Sequence, residues 1–386
     1  MLKYIHLIII GIATFSSQGQ ILIHNVFPSE TDHRINSYND FNVSFYNPIA
    51  VTKNKLVVVL PSTAGKPMQM QVFDSVAANQ GFHVIGLMYN NTPDVSSLCE
   101  NSEDEDCFYN TRREVIDGEE LSNTMQVDTN HCIENRLRAM LSHLHSKYPN
   151  EGWGQYLSGD NIEWSNVIAA GHAQGAGMAA LMGKLYSLDR VVCLAGPNDY
   201  STRYNRPAKW LSLDGKTLAD RYYSFFQEDD SLANNFVVHQ SLQMTDYGLP
   251  VIIEKKAQPY NFTRILKTKF ISNYNNSIVA LDAVTPWDDF GYPRFSNAWR
   301  YMLTNYLTTS SEEVLEEKIT VFPNPVMDVL SINVSNDVKY QLINSTGIIV
   351  ESGESTEVNM SAFSSGLYLL SVKLDEKWYS FKVLKN

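Results

Sequence analysis

The stretch Val167–Ala180, VIAAGHAQGAGMAA, decides the fold. Val167 to Ala170 is a short apolar run of the kind that forms a strand buried on both faces. Gly171-His172-Ala173-Gln174-Gly175 is a tight turn flanked by glycines. From Gln174 to Leu185 small and apolar residues follow, which predicts a helix able to pack close to a sheet. A strand that passes directly into a helix is a building unit of a mostly parallel sheet covered by helices. Ala173 stands at the tip of that turn.

The same alternation extends in both directions. Lys55–Leu60 reads as a continuous apolar strand, and Pro67–Asn79 as one helix with Pro at its start and Gly81 beyond its end. Phe82–Met88 reads as the next strand, and the polar stretch Tyr89–Thr129 as an interruption. Ile133, Leu137, Met140, Leu141, Leu144 and Tyr148 share one helical face. Arg190–Leu194 and Arg221–Phe226 read as strands, with another expected near Thr263–Ile271. His239 falls in a helix expected over Asn234–Met244, and Phe295, Trp299, Met302, Leu303 and Tyr306 mark a last helix. The region 20–307 is therefore expected to be an α/β domain, with ligands at the carboxyl ends of its strands.

This order, with a Gly-His-x-Gln-Gly turn, resembles the α/β-hydrolase superfamily over about 250–290 residues, its turn matching the G-x-S-x-G nucleophile elbow. The resemblance implies the α/β-hydrolase fold, a triad in the order nucleophile, acid, histidine, and an oxyanion hole. Ala173 occupies the nucleophile position, and a methyl group cannot attack a carbonyl. The acid falls on Asp229 or Asp230; a solvated turn or helix cap is the plainer reading of that Glu-Asp-Asp cluster. The nine histidines end at His239, and Asn275, in the segment Asn273–Val279, stands where the base belongs. An amide cannot take a proton at neutral pH. The oxyanion loop is Pro61–Pro67, with Ser62 and Ala64 at positions where glycine is expected. Ser62, Thr63, Ala64, His172 and Gln174 form the expected binding set, the Gln174 N–H being the second oxyanion donor.

The reading that follows is a non-catalytic pseudo-hydrolase that binds a small molecule, glycan or partner. The alternative is an active secreted esterase or lipase with an atypical catalytic site recruiting Ser62, His172 or His239. A hydroxyl or thiol within reach of an imidazole at the strand ends separates the two. A third reading is a surface structural protein using the fold as a scaffold. Trp287, Phe290 and Tyr292 are either a wall of the site or ordinary core, and core is the plainer reading.

The ends of the chain speak of export. Residues 1–19, in MLKYIHLIIIGIATFSSQGQ, read as a secretory signal peptide: Lys3, an apolar run, then small residues. No later stretch reaches the length of a membrane helix, so no transmembrane anchor is expected. Residues 308–318 read as a linker, and 319–386 as short strands of a small antiparallel β-sandwich. Phe322-Pro323-Asn324-Pro325, Val329-Leu330-Ser331-Ile332, Asn344-Ser345-Thr346-Gly347, Met360-Ser361, Gly366-Leu367-Tyr368 and Phe381–Lys385 occur there in order. This module resembles the C-terminal sorting domain of type IX secretion substrates in Bacteroidetes. The resemblance implies the type IX machinery as partner through residues 319–386, and a secreted or cell-surface location reached through the periplasm.

In an exported chain Cys99 and Cys107, in LCENSEDEDCF, are the expected disulfide, while Cys132 and Cys193 read as buried free thiols. The acidic run 103–106 lacks the ligand spacing of a calcium loop, so no metal is expected, and no cofactor. A net charge of −12 argues against nucleic acid as a partner.

Overall fold

The computed structural model describes residues 21–274, 276–289, 291–304, 320–334, 338–344, 348–374 and 377–386. The signal segment, Asn275, Phe290 and the linker 308–318 lie outside the described residues. The chain divides into two compact units, Met1–Tyr306 and Leu307–Asn386.

The first unit is built on one nine-stranded sheet. Its strands are β1 (Leu22–Val26), β2 (Asn42–Tyr46), β3 (Leu56–Leu60), β4 (His83–Gly86), β5 (Val167–His172), β6 (Arg190–Leu194), β7 (Tyr222–Gln227), β8 (Val251–Ile252) and β9 (Ile265–Thr268). Their order across the sheet is β1-β2-β4-β3-β5-β6-β7-β9-β8. β2 runs antiparallel to both β1 and β4; every other neighbouring pair is parallel. The sheet is thus large and mostly parallel. LVVVL of β3, VIAAGH of β5 and RVVCL of β6 are buried along their whole lengths, as a central strand covered on both faces demands.

The longer helices are α1 (Gln71–Asn79), α2 (Cys107–Asp117), α3 (Ile133–Lys147), α4 (Gln174–Leu185), α5 (Phe236–Ser241) and α6 (Ser296–Thr304). The single helix expected over Pro67–Asn79 is two pieces. A 3-10 turn, Pro67–Gln69, ends at Met70, and α1 starts afresh because the Asp282 carboxylate accepts the N–H groups of Gln71 and Val72, each at 2.9 Å.

The stretch Tyr89–Thr129 also differs from expectation. It holds a short helix, Val95–Cys99, and the whole of α2. It reads as polar because the buried face of α2 includes Arg112 and Glu114 beside Phe108, Val115 and Ile116. Each charge is satisfied inside: Glu114 accepts from the N–H groups of Ser122 and Val127 at 2.8 Å, and Arg112 pairs with Asp199. Cys99 and Cys107 are joined in a disulfide, and Cys132 and Cys193 are free and buried.

The second unit has strands β10 (Val321–Phe322), β11 (Val329–Ile332), β12 (Val338–Asn344), β13 (Ile349–Ser355), β14 (Glu357–Asn359), β15 (Gly366–Leu374) and β16 (Lys377–Lys385). They form two antiparallel sheets, β10-β11-β14 and β13-β12-β15-β16. Leu330, Ile332 and Val358 of the first share one core with Leu342, Leu370, Val372 and Val383 of the second. Among the described residues no helix is long and apolar enough to cross a membrane.

Candidate functional site

β5 ends in the turn that joins it to α4. Ala173 sits there at φ 50°, ψ −109°, a conformation that L-residues rarely hold. Two glycines make the turn possible. A Cβ on Gly171 would lie 2.1 Å from the Gly175 carbonyl oxygen, and one on Gly175 would lie 2.1 Å from that of Leu60. The backbone of the turn is thus packed against itself and against the end of β3. The Ala173 N–H donates to Leu194 O at 2.8 Å, and its carbonyl accepts the N–H of Ala176 at 3.0 Å. From Gly171 to Gly183, Ala173 alone is partly open to solvent.

The loop after β3 lies beside it. Tyr89 donates its hydroxyl to Pro61 O, and the Asn91 amide donates to Ser62 O and Gly65 O, all at 2.8 Å. Ala64 has φ 54°, which accounts for the expectation of glycine there. Gln174 joins this loop to the turn. Its Oε1 lies 3.1 Å from Thr63 Oγ1 and accepts the Val95 N–H at 2.8 Å; its Nε2 donates to Asn91 O at 2.9 Å. Ser62, Thr63 and Gln174 are thereby brought together around Ala173, with the Gln174 side chain fully engaged in holding the loop. The backbone N–H groups of Thr63 and Gln174 have no acceptor among the described residues.

Beneath, the Arg112 guanidinium donates to Gln174 O at 3.0 Å and forks onto Asp199, with Nε–Oδ2 at 2.7 Å. Trp210 Nε1 donates to the same Asp199 Oδ2 at 2.8 Å. Both partners of this ion pair are fully buried. Nothing in the turn itself signals Arg112, Asp199 or Asn91, because each comes from a distant segment.

The two acidic candidates part company after β7. Asp229 is exposed, its N–H donating back to Gln227 Oε1. Asp230 is buried; its Oδ1 accepts the N–H groups of Leu232 and Ala233 at 3.2 Å. Burial raises the Asp230 pKa, against the pull of those N–H groups and of the Asn276 side chain. His172 is buried too; its Nε2 donates to Asn276 O at 2.9 Å, and Nδ1 has no partner among the described residues. Burial lowers its pKa, which favours the neutral imidazole. Asn276, the neighbour of Asn275, therefore stands between Asp230 and His172.

Two hydroxyl–imidazole pairs occur among buried groups. Ser224 Oγ lies 3.1 Å from His239 Nε2, and Tyr156 Oη lies 2.8 Å from His83 Nδ1. Ser224 is in the middle of β7 and closed to solvent, and burial lowers the His239 pKa to about 4. His83 begins β4, at the opposite end of the sheet from the turn. Ser224 also donates its hydroxyl to Gly196 O at 2.8 Å, and a Cβ on Gly196 would lie 3.1 Å from Ala173 O, so this pair sits behind the turn, one residue removed and sealed from solvent. Trp287 and Tyr292, read from sequence as core, are exposed. The reason is local: Asp288 N–H donates to Tyr292 O and Tyr292 N–H to Asp288 Oδ1, which folds the segment into its own turn. Among the described residues no group of three or more metal-ligating side chains gathers.

No curated protein matches this chain significantly. Residues 320–386, within the second unit, match the family described as the secretion system C-terminal sorting domain. That match makes the protein a secreted or cell-surface one, engaged by the type IX secretion machinery through this module.

Proposed function

We propose that the first unit is an α/β-hydrolase-fold pseudo-enzyme, exported by type IX secretion, which binds a ligand at the partly open turn around Ala173 without turning it over. Four features support the family reading: the strand order, β2 as the one reversed strand of the nine-stranded sheet, a glycine-flanked turn after β5, and a buried acid after β7. The observation that carries the proposal is Ala173 itself. Its strained backbone is that of a nucleophile elbow, yet its side chain is a methyl group. Asp230 faces the amide of Asn276 in place of an imidazole, so no general base is positioned there. The free N–H groups of Thr63 and Gln174 remain fit to receive a ligand oxygen. Exposed Tyr274, two residues before the Asn276 that bonds His172, offers a flat apolar face suited to a sugar ring or similar small molecule.

The test uses the full chain and short p-nitrophenyl acyl esters, with a fluorophosphonate probe for activated serines. The expected result is buffer-level turnover and no label. Turnover abolished by Ser62→Ala or Ser224→Ala would instead establish the atypical esterase. Binding is read separately, as a rise in melting temperature with soluble oligosaccharides that Tyr274→Ala removes.

A further inference from the structure

The register of the sorting unit places an unusual sequence of side chains on the outer face of its four-stranded sheet. The inner face, with Leu342, Leu370, Val372 and Val383, is used up in the unit's own core. The alternate residues point the other way. Reading across the strands, one row is Ile349–Ile343–Leu369–Lys382, and beside it Leu367 pairs with Leu384. The next row is Ser352–Gln341–Ser371–Ser380, and the one beyond it is Glu354–Lys339–Lys373–Trp378. The register therefore grades the sheet along its strands: aliphatic at one end, hydroxyl and amide in the middle, and three charged positions with one tryptophan at the other.

The aliphatic end is open. Leu367 is 53% exposed, Ile349 51%, Leu384 44% and Leu369 37%. Directly opposed residues on adjacent strands lie within about 5.5 Å of each other, so these side chains form one patch. Scattered exposed leucines need no explanation, whereas a contiguous aliphatic patch with a polar rim marks a docking site. Four strands contribute to it, and its own sheet mates offer nothing to cover it.

We propose that this aliphatic end of the β13-β12-β15-β16 face is the surface by which the sorting unit docks on a protein component of the export apparatus. The family match supplies the occupant, since recognition by that apparatus is what this unit is for. Charge narrows its chemistry. Exposed Lys382 closes the aliphatic row, so the partner surface is apolar with an acidic group at its margin. The graded face also fixes the orientation of docking, because turning the unit end for end would set Lys339, Lys373 and Glu354 against the partner's apolar surface.

The experiment expresses the full chain in a bacterium with a working type IX system and measures the protein in medium, at the surface and in the periplasm. The double variant Leu367→Asn, Leu369→Asn removes the centre of the patch. Its export is expected to fall by about tenfold or more, the size of effect that loss of a central apolar contact has on affinity, with retention in the periplasm. The variant Leu367→Met, Leu369→Met keeps the apolar area and exports normally, and so does Lys339→Gln at the far end of the same face. Circular dichroism of the purified full chain reports folding, and Leu384→Asn on the last strand gives a second reading should the double variant be unfolded. Wild-type export of the asparagine variants overturns the proposal. So does an equal loss in Lys339→Gln or in the methionine pair. A wild-type dimer that the asparagine pair dissociates without loss of export also overturns it, assigning the face to a second copy.

Discussion

Ala173 keeps a backbone that neither alanine nor serine favours. The cost of φ 50°, ψ −109° is of order 1–3 kcal/mol, and the surrounding turn maintains it. Glycine holds such angles freely, at about 0.5–1 kcal/mol of additional chain entropy on folding. Ala173→Gly is therefore expected to stabilise the first unit by about 1 kcal/mol in urea unfolding followed by tryptophan fluorescence. Two residues on, the sign reverses. A methyl group at Gly175 would meet the Leu60 carbonyl at 2.1 Å, which no rotamer change relieves. Gly175→Ala is expected to lose more than about 3 kcal/mol or to abolish folding. If both substitutions proved neutral, the strained-turn account would be wrong. At this scale the sequence was legible in part. The glycine-flanked turn stood out from Gly-His-Ala-Gln-Gly. That Asp230 is buried and Asp229 exposed is not written in Glu-Asp-Asp, since it depends on how the loop turns in three dimensions.

At the scale of elements, one guanidinium ties α2 both to α4 and to the segment after β6. Arg112 on α2 reaches Asp199, in the segment after β6, and on the way holds the first turn of α4 through Gln174 O. Both charges are removed from water, so breaking the pair leaves an uncompensated guanidinium in the interior. Asp199→Asn is expected to cost about 3–5 kcal/mol, measured as a shift in urea midpoint at constant slope. The same feature explains why α2 was hidden in the sequence. A buried face with Thr111, Arg112 and Glu114 carries no apolar period, whereas α4 and β6 announce themselves through uninterrupted small or branched residues. The break before α1 was equally invisible, because the carboxylate that starts the helix lies 211 residues away, on Asp282. β1 escaped notice as an edge strand that leaves Leu22 and Ile23 in solvent and shows no clean alternation.

For the molecule as a whole, stability should depend on pH through carboxyl groups held above their ordinary range. Asp74, on α1, is fully buried with neither oxygen hydrogen-bonded among the described residues, and burial together with nearby Asp282 raises its pKa well above 3.8. A group protonated in the folded chain and ionised in the unfolded one contributes fully below about pH 4. That contribution is lost progressively as pH rises towards the folded pKa, since the unfolded state then binds fewer protons. Asp74→Asn removes the ionisation. Wild type and variant should differ least near pH 4, with the variant increasingly the more stable as pH rises. Urea titrations of both proteins at about pH 4, 6 and 8 measure the difference; parallel curves would exclude Asp74 as its source.

The Cys99–Cys107 bond has a consequence for the order of events during export. Four thiols enter an oxidising space together, and six pairings are open to them. The native pair is 8 residues apart, whereas the next thiol, Cys132, is 25 beyond Cys107. Loop closure over the shorter span is favoured by about 1 kcal/mol, a modest advantage in encounter alone. What completes the selection is enclosure: Cys132 and Cys193 end inside the first unit, where an oxidant cannot reach them. Correct oxidation thus amounts to a race. The short loop must close, and the sheet must seal its two remaining thiols, before an external disulfide finds them.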